Sequence, residues 1–403
     1  MPAIGIGISS VFGYSGFSRA ALLAGAESDA LAGSFLDDSL AIRDTVTPAN
    51  NFAGTPFSKL TYTCGSVANY YNSAGLLAQA AINTPRYNYD PATLAIRGLL
   101  IEEARTNSAL WCRDLTNAVW AASSMGASKT ATGIDGAANS ATTITASGAS
   151  ATILQTLVLT NTCATAFSIR RRTGTGTIEI TQDGTTWVVV TPTSAWQRFT
   201  IASAALINPV IGIRITTSGD AVDVDFAQIE VGSRCTSPIA TAAAAVTRSA
   251  GSLTIPVTSF NFSQTNGTLY TKTILSVIDS ASSQIGLEAN NGTGAELYRL
   301  SSANGTANSQ FRVVDNSVQQ ASVVMAGVTV NTPMKLAAAF AASDFRAARN
   351  GVLGTPVVSG TLPTPTQLTI GHAVGFGHLN DEIQEFMVVP RSMTNAELQS
   401  LST

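Results

Sequence analysis

Hydrophobic and polar positions alternate in short runs along most of this chain, the period of two that sends successive side chains to opposite faces of a strand. Between residues 110 and 231 the runs are rich in Thr, Val and Ile and are bounded by Gly and Asp, which predicts a series of short strands. The sharpest signal is TGTIEITQDGTTWVVVT, where two alternating runs flank Asp183-Gly184. That dipeptide readily takes the positive φ angles of a tight hairpin turn. Further strands are expected at 196–202, 210–216 and 222–229. With no helical period among them, the stretch reads as a two-sheet sandwich.

A second β block follows, with strands expected at 269–277, 285–289, 297–300, 311–315, 319–324, 335–340 and 382–389, separated by Gly and Asn turns. It closes with PRSMTNAELQSLS, in which Thr394 and Glu397 have the spacing of a capping box and predict one short helix. Residues 18–34, SRAALLAGAESDALAGS, are the other helical candidate. The fold class expected is all-β: a small N-terminal anchor or oligomerisation segment over 1–47, an extended strand-and-loop connector over 48–108, a sandwich over 109–248 and a second over 249–403. Residues 232–251 have small side chains and read as a strap between the sandwiches.

Length agrees, since 403 residues at about 150 per domain make two to three domains. Charge narrows the function. Charged residues are 12% of the chain, about half the usual share, and 22 Lys and Arg against 25 Asp and Glu leave a net charge of −3. Only Lys59, Lys129, Lys272 and Lys335 are lysines, so no cationic surface for nucleic acid is expected. No apolar run is long enough for a membrane helix and no secretory leader is read, so folding in a cytoplasm and no membrane insertion are expected. Cys64, Cys112, Cys163 and Cys235 show no paired spacing and are read as buried free thiols.

The block NTPRYNYDP followed by RGLLIEEARTN, residues 83–107, resembles a segment recurring in virion proteins of tailed phages, of the tail-fibre or head-fibre type. In that family it precedes a jelly roll similar to carbohydrate-binding modules, matched here by LWCRDLTNAVW, AWQRFTI, VDVDFAQIEVG and an exit strap ending in Val246-Thr247-Arg248. The C-terminal block resembles a concanavalin A-like, laminin-G-like lectin sandwich through KLAAAFAASDFRAARNG, LTIG and NDEIQEFMVVPRSMTNAELQSL. The resemblance implies a virion structural protein, a fibre or spike that adheres to host cell-surface polysaccharide. It further implies attachment to other virion proteins through the N-terminal segment, and a homotrimer. A decoration or connector protein binding only other virion proteins, or a glycan hydrolase, are the alternatives.

Retaining glucanases on the lectin fold place three acids on alternate positions of one strand, but here the stretch is Asp381, Ile383, Glu385. No catalytic residue is assigned. Sugar binding asks for an exposed ring beside hydrogen-bonding groups. Trp187, beyond the Asp183-Gly184 turn, is such a platform or else a core or subunit-interface ring; Tyr298, Asn316, Phe376 and His378 are the candidates of the second sandwich. His372 and His378 alone offer too few ligands for a metal. Asp223 and Asp225, with Asp220 near by, are either a structural calcium site or plain strand-edge acids, and no other cofactor is expected.

Overall fold

In a computed structural model the protein is described over residues 31–35, 43–44, 60–279, 282–302 and 305–403. Almost every element is a strand, and the strands form two antiparallel sandwiches with separate cores.

The jelly-roll sandwich packs two five-stranded sheets. One orders Met125–Ala131, Ala141–Ala146, Ala221–Val231, Thr160–Thr173 and Gln197–Ile207; the other orders Val188–Val190, Ile178–Thr181, Val210–Ile215, Ala151–Thr156 and Ala121–Ser123. Alternation drives the packing: Ile178 and Ile180 pair across from Ile215 and Ile213, and all four are fully buried. The Asp183-Gly184 hairpin is wider than a two-residue turn. Its last pair is Ile180 with Val188, and Asp183 Oδ1 instead accepts the N–H groups of Thr185 and Thr186 at 2.8 and 2.6 Å. An Asx-type bond thus replaces the tight turn, while Gly184 keeps its positive φ of 77°.

The second sandwich draws on both ends of the chain. Its first sheet centres on Asp381–Val389, bonded on one side to Asn266–Ile274 and, beyond it, Pro333–Ala341 and Asp344–Arg349. On its other side the same strand meets Leu31–Ser34 and Ile96–Ile101, which share its edge end to end. The facing sheet runs Val318–Ala326, Asn308–Asp315, Leu297–Ser302, Ile285–Asn290, Gln367–Ile370, Ser252–Pro256 and Thr61–Thr63. The stretch expected as a connector therefore supplies strands to this sandwich, and the jelly roll is inserted within it. The physical reason is hydrophobic: Leu31, Phe35, Leu60, Tyr62, Leu99 and Ile101 are core residues of this sandwich, each such burial stabilising by about 1.5–3 kcal/mol. Of the helix expected over 18–34, Leu31–Ser34 is a strand and the rest lies outside the described residues, as does most of the expected anchor.

The closing helix, Asn395–Ser402, begins as the capping box predicts, with Thr394 accepting from Glu397 N–H. Met393, Leu398 and Leu401 cover Tyr270, Met387 and Val389 on the outer face of the sheet.

Candidate functional site

The jelly roll leaves and rejoins the second sandwich through a two-stranded neck, Arg105–Asn107 paired with Val246–Arg248. Asn107 secures its entry: the side-chain amide donates to Ala227 O and Ile239 O and accepts from Ala109 and Ile229 N–H. Beside it lies a buried ionic latch. Arg86 Nη1 donates to Glu102 Oε2 at 2.6 Å, and Arg248 Nη1 stands 3.1 Å from the same oxygen. Ser237 N–H and Oγ–H complete the carboxylate, each at 2.7 Å. Burial alone would raise the Glu102 carboxyl, but Arg248, Arg86 and the Ser237 bonds outweigh it and hold it at about 2. Arg86, Glu102 and 105–107 of the first sequence block and 246–248 of the exit strap thus act at the joint between sandwiches. The strap expected over 232–251 is part of it, with Arg234 donating to Asp381 Oδ2 at 2.8 Å.

Over this joint opens a cleft of about 740 Å³. Its aromatic wall comes from two short turns. In one, Asn72 Oδ1 accepts from Ala74 and Leu76 N–H and closes the hairpin Ala68–Tyr71/Leu77–Ala80, presenting Tyr70 and Tyr71 half-buried. In the other, Asp90 Oδ1 takes the N–H groups of Ala92 and Thr93 and positions Tyr89. The floor is polar: Asn88 Nδ2 donates to Glu382 Oε1 at 2.6 Å, and Arg97 grips both oxygens of Glu382 at 3.1 and 3.2 Å. The jelly roll contributes Arg198, Thr200 and Ser203 to the opposite wall. Rings beside amide, hydroxyl and charged groups are the combination that holds a pyranose, by stacking on its apolar face and bonding its hydroxyls.

None of the residues singled out from sequence for glycan contact lines this cleft, and the structure does not bring them together. Trp187 is half-buried on the jelly roll, one face of its ring covered by the Arg214 guanidinium at 4.4 Å. Tyr298 is not a surface ring at all. It is fully buried and stacked on Phe340 with centroids 4.0 Å apart, because the strand Leu297–Ser302 turns Tyr298 inward. Asn316 is exposed in a two-residue hairpin turn, with φ of 50°, its N–H donating to Glu296. Phe376 is 50% exposed, with Arg299 over its ring at 5.1 Å. His378 is buried and stacked on His372 at 5.4 Å; burial, with His372 and Arg248 near by, pushes its imidazole down to about 4. His372 Nε2 accepts from Leu253 N–H, so its proton sits on Nδ1, which donates to Ala373 O at 2.7 Å.

The acids offered to calcium are taken by arginines. Arg113 grips both oxygens of Asp225 at 2.7 and 2.9 Å, and Ile134 and Phe226 N–H fill the rest. Asp223 accepts from Thr143, Arg170 and Arg172. A cation would have to displace guanidinium from both, and no metal-ligand cluster occurs among the described residues. The stretch Asp381, Ile383, Glu385 does not share one face either: Gln384 is bulged between two registers, so Ile383 and Phe386 both point into the core while Glu385 turns out to Tyr270 and Lys272. All four cysteines are unpaired, with Cys64, Cys112 and Cys163 buried. No helix among the described residues is long and apolar enough to cross a membrane.

The cleft escaped sequence reasoning because its lining comes from seven separated segments between residues 70 and 382. Its one local signal was the run of tyrosines in ANYY and YNYDP, next to turn residues. No family model matches the chain, and no curated protein matches it in sequence. Among solved structures it is similar to the CBM40 of the Ruminococcus gnavus IT-sialidase bound to alpha2,3 sialyllactose, with 12% identity and a TM-score of 0.30 over 35% of this chain and 84% of that one. It is similar also to the botulinum neurotoxin serotype D binding domain, at 11% identity and TM-score 0.30 over 38% of this chain and 39% of that one. A third is the Trypanosoma rangeli sialidase in complex with 2,3-difluorosialic acid, at 17% identity and TM-score 0.29, over 38% of this chain and 26% of that one.

Proposed function

We propose that this chain is a non-enzymatic glycan-binding protein of a tailed-phage virion, a fibre or spike that holds host surface polysaccharide in the cleft between its two sandwiches. The observation that carries the binding reading is the cleft itself, with Tyr70, Tyr71 and Tyr89 set against Asn88, Thr200 and Ser203 on rigid strands and short turns. The virion setting rests on the order of sequence blocks, and a homotrimer attached through its N-terminal residues belongs to the same reading. Binding is favoured over hydrolysis because Glu382 is gripped by Arg97 and Asn88, and Asp381 by Arg234 and Ser276. With their oxygens occupied in this way, neither carboxylate is placed to attack a sugar.

The test is a glycan array probed with the full chain and with Tyr71→Ala, beside a reducing-sugar assay on each glycan bound. Binding that the variant loses, with no sugar released, is the expected result. Binding untouched by changes at Tyr70, Tyr71 and Tyr89 together, or release of sugar, overturns the reading.

A further inference from the structure

We infer that the glycan is acidic, carrying a carboxylate that pairs with Arg198. This inference rests on the cleft reading and narrows it to one ligand class.

Among the described residues every charge lining the cleft except Arg198 has an oppositely charged partner. Glu382 and Asp90 face Arg97, at 3.1 and 3.9 Å. Asp381 faces Arg234, and Glu102 lies between Arg86 and Arg248. Among the described residues Arg198 has no carboxylate: its Nη2 donates to Thr236 O at 3.2 Å, and its Nη1 is screened from water without a hydrogen bond. An unpaired guanidinium N–H shielded from solvent is unfavourable unless an acceptor completes it, and a planar carboxylate is the acceptor that matches its fork.

Placement supports recognition. Phe199 and Ile201 on the strand Gln197–Ile207 pack against the jelly-roll core, so Arg198 and Thr200 turn outward to the cleft. The guanidinium is held on a sheet rather than on a loop, with the Thr200 hydroxyl next along the same face. Tyr71 lies close enough to feel it: burial raises the Tyr71 hydroxyl and the Arg198 charge pulls it back down. A uronic acid ring can thus lie against tyrosine while its carboxylate approaches the half-buried Arg198 guanidinium from the cleft. A neutral sugar leaves the guanidinium without its partner, which is the kind of loss a polar site discriminates strongly.

The experiment uses an array on which acidic oligosaccharides, including hexuronates, are printed beside their carboxyl-reduced counterparts. It is probed with the full chain and with Arg198→Gln, Arg198→Lys and Tyr71→Ala, each shown to melt as the parent does. Binding confined to acidic forms, weakened roughly ten- to hundredfold by Arg198→Gln and partly kept by Arg198→Lys, is expected. Equal binding of acidic and reduced forms, unaffected by Arg198→Gln but lost in Tyr71→Ala, overturns the inference and leaves the cleft reading standing. No binding of either form overturns both.

Discussion

Glu102 and Arg248, distant in sequence, meet at 3.1 Å in the neck between the sandwiches, and each is almost wholly excluded from water. Removing this carboxylate leaves Arg86 and Arg248 buried together without a counter-charge. Glu102→Gln is therefore expected to lower the free energy of unfolding by about 3–5 kcal/mol, measured by urea titration of tryptophan fluorescence; a loss under 1 kcal/mol would contradict the latch. The same group sets an acid limit. Its folded pKa of about 2 lies below the unfolded value of 4.5, so its contribution is complete above pH 4.5 and is lost as pH falls to 2, about 3 kcal/mol in all.

His378 acts in the neighbouring pH window with its own sign. Folded, its imidazole titrates at about 4 against 6.5, so between those values the unfolded chain binds a proton that the folded chain refuses. Stability should decline by about 3 kcal/mol from pH 7 to pH 4 and stop declining on this account below it. Melting temperatures of His378→Gln across that range should fall less steeply than those of the parent, and parallel curves would exclude His378 as the source.

Tyr298 carries a buried hydroxyl with no hydrogen-bond partner among the described residues. Tyr298→Phe removes that group while keeping the stack on Phe340, so the melting temperature should stay or rise. Glycan binding should be unchanged. A drop of several degrees would mean that the hydroxyl has a partner.

Asp225, filled by Arg113 and two backbone N–H groups, predicts indifference to metal. EGTA should leave the calorimetric melting curve in place, whereas Asp225→Ala should cost about 3–5 kcal/mol by stranding Arg113. A chelator-induced shift of more than a few degrees would restore calcium to this strand.

Much of the architecture was legible because alternation is local. The strands of both sandwiches and the Thr394–Glu397 cap follow from residues a few positions apart. What alternation does not carry is partner choice: nothing in LAGS or IRGLLI says that both will line one edge of DEIQEFMVV. Side-chain direction failed for a related reason, since the strand LYRLSS is buried on both faces and its sequence does not say which face Tyr298 takes. Asp225 and His378 were misjudged because burial of a polar group depends on neighbours far away in sequence, Arg113 for the first and Arg248 for the second.

The insertion of one sandwich within the other sets a timetable for synthesis. Residues 109–231 hold every strand of the jelly roll, so that unit can close on the ribosome as soon as it emerges. The strands Leu31–Ser34 and Ile96–Ile101, made earlier, have only the short strands Arg43–Asp44 and Tyr87–Tyr89 to pair with until Asp381–Val389 is translated. Throughout that interval the nascent chain carries apolar strand edges, the surface that chaperones hold and that premature termination would leave exposed for good.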